Sequence, residues 1–175
     1  MSGEPQPPDV GDQLDRQLHG LKAIWFGLFA GGFVITLAVA MIVMSGGGPG
    51  IDLGVLKYVF LIPVLFGLVG AFALVPWLTA PEPPPPPEAG LPPGLSTNPD
   101  DPLYWYPAYM TRFLLRGGFL EGNAILCAIG FFITGDWLIL AGPIILLAAL
   151  LAYMPTRASV ESFAADARQR MRSGE

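Results

Sequence analysis

The chain has 175 residues, 53% of them hydrophobic and only 13% charged, with a formal net charge of −5. Soluble domains carry about a quarter charged residues, and an acidic chain lacks the basic surface that nucleic-acid binding needs. The apolar residues are gathered into four blocks, each close to the roughly 20 residues that cross a bilayer as a helix. Composition therefore predicts an all-α integral membrane protein, a four-helix bundle made of two transmembrane hairpins.

Residues 1–22 are expected to form a cytoplasmic tail. Met1 to Asp9 is rich in proline and acid and predicts disorder. From there Val10, Leu14, Leu18 and Leu21 recur at helical spacing, with Asp12, Asp15 and Arg16 between them. That pattern predicts a short amphipathic helix on the membrane surface. His19 lies within it without a second ligand candidate nearby and reads as an interfacial histidine. The first apolar block exceeds the roughly 7–15 residues of a signal-peptide core, so the first helix is expected to act as an uncleaved anchor.

The first hairpin covers residues 23–78, with spans at about 23–44 and 56–78. Gly27, Gly31, Gly32 and Thr36 make a small-residue face on one span, and Gly67 and Ala71 on the other. Such faces let helices approach closely where the hydrophobic effect no longer drives association. The glycine-rich run from Gly46 to Gly50 breaks the chain between them. Lys57 can snorkel at the start of the second span, and Pro63 and Pro76 are expected to kink it.

Residues 79–108 form a Pro-rich linker. The prolines from Pro81 to Pro87, followed by Pro92 and Pro93, predict an extended polyproline II spacer. A docking site for a proline-reading domain is the alternative. Tyr104, Trp105 and Tyr106, with Tyr109 beyond, read as an aromatic anchor at the bilayer interface.

The second hairpin covers residues 109–154, with spans at about 112–134 and 137–154 on either side of a tight Gly135-Asp136 turn. Gly142-Pro143 is expected to kink the last span. Cys127, the one cysteine, excludes an intramolecular disulfide and reads as a small apolar core residue. In the tail, residues 155–175, Val160, Phe163, Ala164, Ala167 and Met171 share one helical face and predict a second surface helix. Basic residues flank the spans on one side: Arg16, Lys22, Arg112, Arg116 and the arginines of the tail, with Lys57 the exception. This bias predicts that both termini and the linker are cytoplasmic, in a bacterial inner membrane. A shift of about 90 positions aligns Lys22 with Arg112, Gly27 with Gly117, Phe29 with Phe119 and Gly32 with Gly122, a weak internal repeat.

The third span concentrates the polar candidates, Arg112, Arg116, Glu121 and Asn123. Ionisable groups inside a span are costly and face a protein interior, a water-filled cavity or a partner charge. Gly117, Glu121, Ala124 and Ala128 fall on one helical face, flanked by Gly118 and Gly122. Glu121 is therefore expected against another helix, roughly 7 Å deeper than Arg116 by helical rise. Neither arginine stands at i−3 or i−4 from it. Lys22, Asn123 of a neighbouring copy, or backbone groups at a kink remain as partners. A structural hydrogen bond across the bundle or to a second subunit is the first reading, and proton or ion handling the second. Catalysis is disfavoured, since no histidine, metal motif or second intramembrane acid accompanies Glu121. The expectation is a non-enzymatic protein without cofactor or metal, whose partners are the lipid bilayer and other membrane subunits or copies of itself.

From Arg112 onward the pattern resembles a group of uncharacterised small bacterial four-helix integral membrane proteins. The residues that carry the resemblance are Arg112, Arg116, Glu121-Gly122-Asn123-Ala124, Thr134-Gly135 and Pro155-Thr156-Arg157. It covers the second hairpin and its ending, implies a four-helix membrane fold, and brings no site residues with it. Around Glu121 the chain is also locally similar to the carboxylate helix of rotary ATPase proteolipids, which implies a proton-handling acid. It departs from that pattern in lacking an unbroken glycine run in the first helix and the proteolipid polar loop.

Overall fold

The computed structural model describes residues 10–79 and 96–173, and the regular structure among them is wholly helical. The prolines of the expected spacer and the first nine residues lie outside the described residues. Five helices follow in order: α1 (Val10–Met44), α2 (Gly54–Leu78), α3 (Pro102–Thr134), α4 (Trp137–Ala152) and α5 (Arg157–Ser173). Of these, α1, α2 and α3 are each long and apolar enough to cross a membrane. The 16 residues of α4 carry no charge, but they extend only about 24 Å, against a hydrocarbon core of about 30 Å.

The chain divides into two compact units, Met1–Ala23 with Pro81–Thr111 and Pro155–Glu175, and Ile24–Ala80 with Arg112–Met154. The first has its own core. Leu14, Leu18 and Leu21 of α1, Leu103, Trp105, Tyr106 and Tyr109 of α3, and Val160, Phe163, Ala164 and Ala167 of α5 are all buried. Their polar ends are satisfied inside the protein. The Trp105 indole donates to the Pro99 carbonyl at 3.0 Å, the Tyr106 hydroxyl to the Gln17 carbonyl at 2.8 Å, and Tyr109 Oη lies 2.7 Å from Ser159 Oγ.

Here the structure differs from the sequence expectation. Leu14, Leu18 and Leu21 of α1 and Val160, Phe163, Ala164 and Ala167 of α5, expected against a membrane surface, are buried within the protein, while Met171 of α5 stays exposed. The tyrosines and tryptophan expected at a lipid interface belong to the same core. An amphipathic stripe records that one face leaves water, not what covers it. Two boundaries move as well. α1 runs without a break from Val10, and α3 begins at Pro102, where the Asp101 carboxylate accepts from the Leu103 N–H at 2.9 Å.

In the second unit α3 is the most enclosed of the long helices. Of its most apolar stretch 44% is buried, against 11% for α1, so α3 organises the packing and α1 stays peripheral. The prolines of α2 show themselves as changes of hydrogen-bond register. α2 is a 3₁₀ helix over Gly54–Leu61, α-helical over Ile62–Val69, a π turn over Gly70–Leu74 and α-helical again to Leu78. Pro63 has no N–H for the Val59 carbonyl, and Ile62 takes that acceptor instead. Just before Pro76, the Val75 N–H reaches back to the Gly70 carbonyl, the wide bond that defines the π turn. Close approach decides two glycines. A Cβ on Gly70 would sit 2.4 Å from the Phe119 ring, and one on Gly130 would sit 2.5 Å from the Phe60 ring.

The two short connections are tied to their helices. α1 ends at Gly46, whose φ of 78° is closed to most side chains, and Gly135 turns α3 into α4 with a φ of 67°. The Ile51 N–H donates to the Ile133 carbonyl at 2.9 Å. Asp136 caps α4 by accepting from the Leu138 N–H at 2.9 Å, and its carboxylate meets Lys57 Nζ at 2.6 Å.

Candidate functional site

The polar residues of α3 face different neighbours. The Glu121 side chain lies across the smallest part of α1. A Cβ on Gly31 would come within 3.1 Å of Glu121 Oε1, and one on Gly32 within 3.6 Å of its Cγ. Those two glycines give up side chains where the carboxyl group rests, as a stripe of small residues opposite an acid implies. Among the described residues Glu121 makes no hydrogen bond or ion pair, and it is half-buried.

Asn123 points elsewhere. It is buried, donates Nδ2–H to the Phe119 carbonyl of its own helix at 2.7 Å, and packs its Cβ where a Gly67 side chain would stand. Its amide is spent on α3 and its neighbour is α2. Lys22 belongs to the other compact unit. A Cβ on Gly117 would come within 2.9 Å of Leu28, whereas one on either flanking glycine, Gly118 or Gly122, would have no described atom within 4 Å. The glycines that make room for the carboxyl group are therefore Gly31 and Gly32 of α1.

The two arginines mark helix ends. Arg112 donates Nε–H to Thr79 Oγ1 at 3.2 Å and Nη2–H to the Pro76 carbonyl at 3.0 Å. It thus closes the last turn of α2, where unpaired carbonyls and the negative end of the helix dipole favour a cation. One turn on, Arg116 lies over the ring of Tyr153, which follows α4. Its guanidinium is 4.7 Å from the Tyr153 centroid and 5.8 Å from that of Phe72, and Nη1–H donates to Tyr153 Oη. The Tyr153 ring stacks in turn on Phe113 at 5.9 Å, with Phe72 edge-on at 6.2 Å. Arg116 Nε is buried without an acceptor among the described residues.

Tyr153, Phe72 and Thr79 were not legible as site residues, because each is remote in sequence from the arginine it meets. The aromatic content near the end of each apolar block was the only available signal. The pair Lys57–Asp136 was missed for the same reason. Cys127, wholly buried, directs its thiol at the Phe60 carbonyl, 3.4 Å away. Beside these groups, Phe29, Phe33, Leu140 and Leu147 line a groove of about 340 Å³ between α1 and α4. Its one polar wall residue, Thr36, spends its hydroxyl on the Gly32 carbonyl.

Among the described residues no three His, Cys, Asp or Glu side chains gather closely enough to hold a metal ion. No protein-family model, curated protein or solved structure matches this chain.

Proposed function

We propose that the chain is a non-enzymatic multi-pass protein of the bacterial inner membrane that serves as an accessory or structural component of a membrane assembly. In this reading α1 to α4 form a four-helix bundle of two transmembrane hairpins, with the termini and the Pro-rich linker in the cytoplasm. The short α4 crosses with help from Tyr153 and Met154 and from local bilayer thinning. The observation that carries the reading is the seating of Glu121 across Gly31 and Gly32, a shape fit between helices.

One observation favours a second reading, a small proton- or cation-conducting protein. Glu121 has no hydrogen-bond partner among the described residues, and an unsatisfied acid within a span is a recurrent ion-pathway feature. Proton flux into liposomes, measured beside thermal stability in detergent, separates the two. Under the structural reading the wild type carries no flux above empty vesicles, and Glu121→Gln shifts stability by only about 0.6 kcal/mol, the average for polar contacts between membrane helices. A real wild-type flux abolished by Glu121→Gln at unchanged stability would establish conduction instead. The topology has its own test. Cysteines placed at Ser2, Ala89 and Ser173 should resist a membrane-impermeant thiol reagent in intact cells, while one at Gly48 reacts.

A further inference from the structure

Arg116 is a cation beside apolar spans that pairs with no carboxylate among the described residues. Its guanidinium is nonetheless held in place by the Tyr153 ring beneath it, the Phe72 ring beside it and the bond from Nη1–H to Tyr153 Oη. That leaves the Nε–Nη2 edge, whose two parallel N–H vectors match two oxygens of a carboxylate or a phosphate. Nε is buried and lacks an acceptor among the described residues. A donor on a charged group is costly to leave unmet, so this edge calls for an anion from outside the described protein.

Neither intramembrane candidate within the unit supplies it. Glu121 is turned toward Gly31 and Gly32 of α1, whereas Arg116 faces Phe72 of α2 and Tyr153 after α4. Asp136 is taken by Lys57. The surroundings suit an amphiphile. Phe72, beside the guanidinium, is 47% exposed, and the last turn of α2 beyond it is open and apolar at Trp77 and Leu78. Basic pockets between membrane helices near the headgroup layer take acidic lipid headgroups.

We infer that Arg116 is the headgroup site for an anionic phospholipid, with the phosphate diester on the Nε–Nη2 edge and an acyl chain along α2. Phe72 turns aside to admit the oxygens. The site rests on the membrane reading but is independent of any role for Glu121.

The test uses the full chain, delipidated in mild detergent, with phosphatidylglycerol or phosphatidylcholine added and bound lipid counted by native mass spectrometry. The wild type should prefer phosphatidylglycerol by about tenfold or more. Arg116→Gln should lose that preference, Arg116→Lys should keep only part of it, and Arg172→Gln should match the wild type. Equal retention of the two lipids by the wild type, or an undiminished preference in Arg116→Gln, overturns the site. Inorganic phosphate at millimolar concentration should not displace the lipid; displacement would assign the edge to free phosphate and overturn the lipid. A photoreactive phosphatidylglycerol labels the wild type independently of any variant's folding. Adducts within residues 70–78 support the site, and adducts confined elsewhere overturn it. Vesicle flotation of the wild type is read separately: failure to float would sink the membrane reading itself.

Discussion

The Arg112 guanidinium donates to the Pro76 carbonyl at 3.0 Å, so a cation expected to mark the start of one span closes the end of another. Nothing in the local sequence of either residue announces this. The contact joins α3 to the last turn of α2, where Thr79 Oγ1 is a second acceptor for Arg112 and itself donates to the Val75 carbonyl at 2.7 Å. Hydrogen bonds to a charged group are worth about 1.5–3 kcal/mol. Arg112→Ala should destabilise the protein by an amount in that range, measured by unfolding in detergent, and Arg112→Lys should recover only part, since it offers no planar fork. An Ala variant as stable as the wild type would mean the contact contributes nothing.

Two glycines of similar appearance in the sequence should respond oppositely to alanine. Gly70 has the Phe119 ring 2.4 Å from the place of its missing Cβ, while Gly118 has nothing within 4 Å. Overpacking of this kind costs about 1–3 kcal/mol, so Gly70→Ala should lower the melting temperature. Gly118→Ala should be neutral or stabilising by up to about 1 kcal/mol, through helix propensity. A destabilised Gly118→Ala would instead reveal a neighbouring helix on that face.

Asp136 gives a pH signature. The Lys57 ammonium bonded to its carboxylate, and then the Leu138 N–H, hold it below the ordinary carboxylate value. A group whose pKa is depressed on folding contributes stability above its unfolded pKa and loses it as pH falls through the folded one. Asp136→Asn should therefore melt slightly below the wild type at neutral pH, and the gap should narrow as pH falls below the ordinary carboxylate value of about 4 and through the lower folded one. Both partners are open to solvent, so the difference should shrink in high salt. A gap that does not narrow as pH falls would show that the charge is not its source.

The tryptophans report on where the aromatic residues reside. Trp105 is wholly buried with its indole N–H on the Pro99 carbonyl, whereas Trp77 is 76% exposed at the end of α2. In single-tryptophan variants reconstituted in brominated lipid, Trp77 should be strongly quenched and Trp105 barely quenched. Strong quenching of Trp105 by lipid would restore the interfacial-anchor reading of residues 104–106.

The four apolar blocks, the break at Gly46 and the turn at Gly135 were legible in the sequence because each depends on local chemistry. Uncharged runs predict helices able to enter a bilayer, and at Gly46 and Gly135 glycine supplies the positive φ that closes a helix. The face shared by Val160, Phe163, Ala164 and Ala167 was legible for the same reason. What covers that face was decided only by the tertiary structure. Helical periodicity states that a stripe is removed from water, and a membrane surface or another helix would satisfy it equally. Here Leu14, Leu18, Trp105 and Tyr109 belong to the same buried core. Glu121 follows the same rule. Its place among small residues was visible in the spacing of Gly117, Ala124 and Ala128, but its seat on Gly31 and Gly32 was not. Those contacts span some 90 residues of sequence, and only the packing of α1 on α3 brings them together.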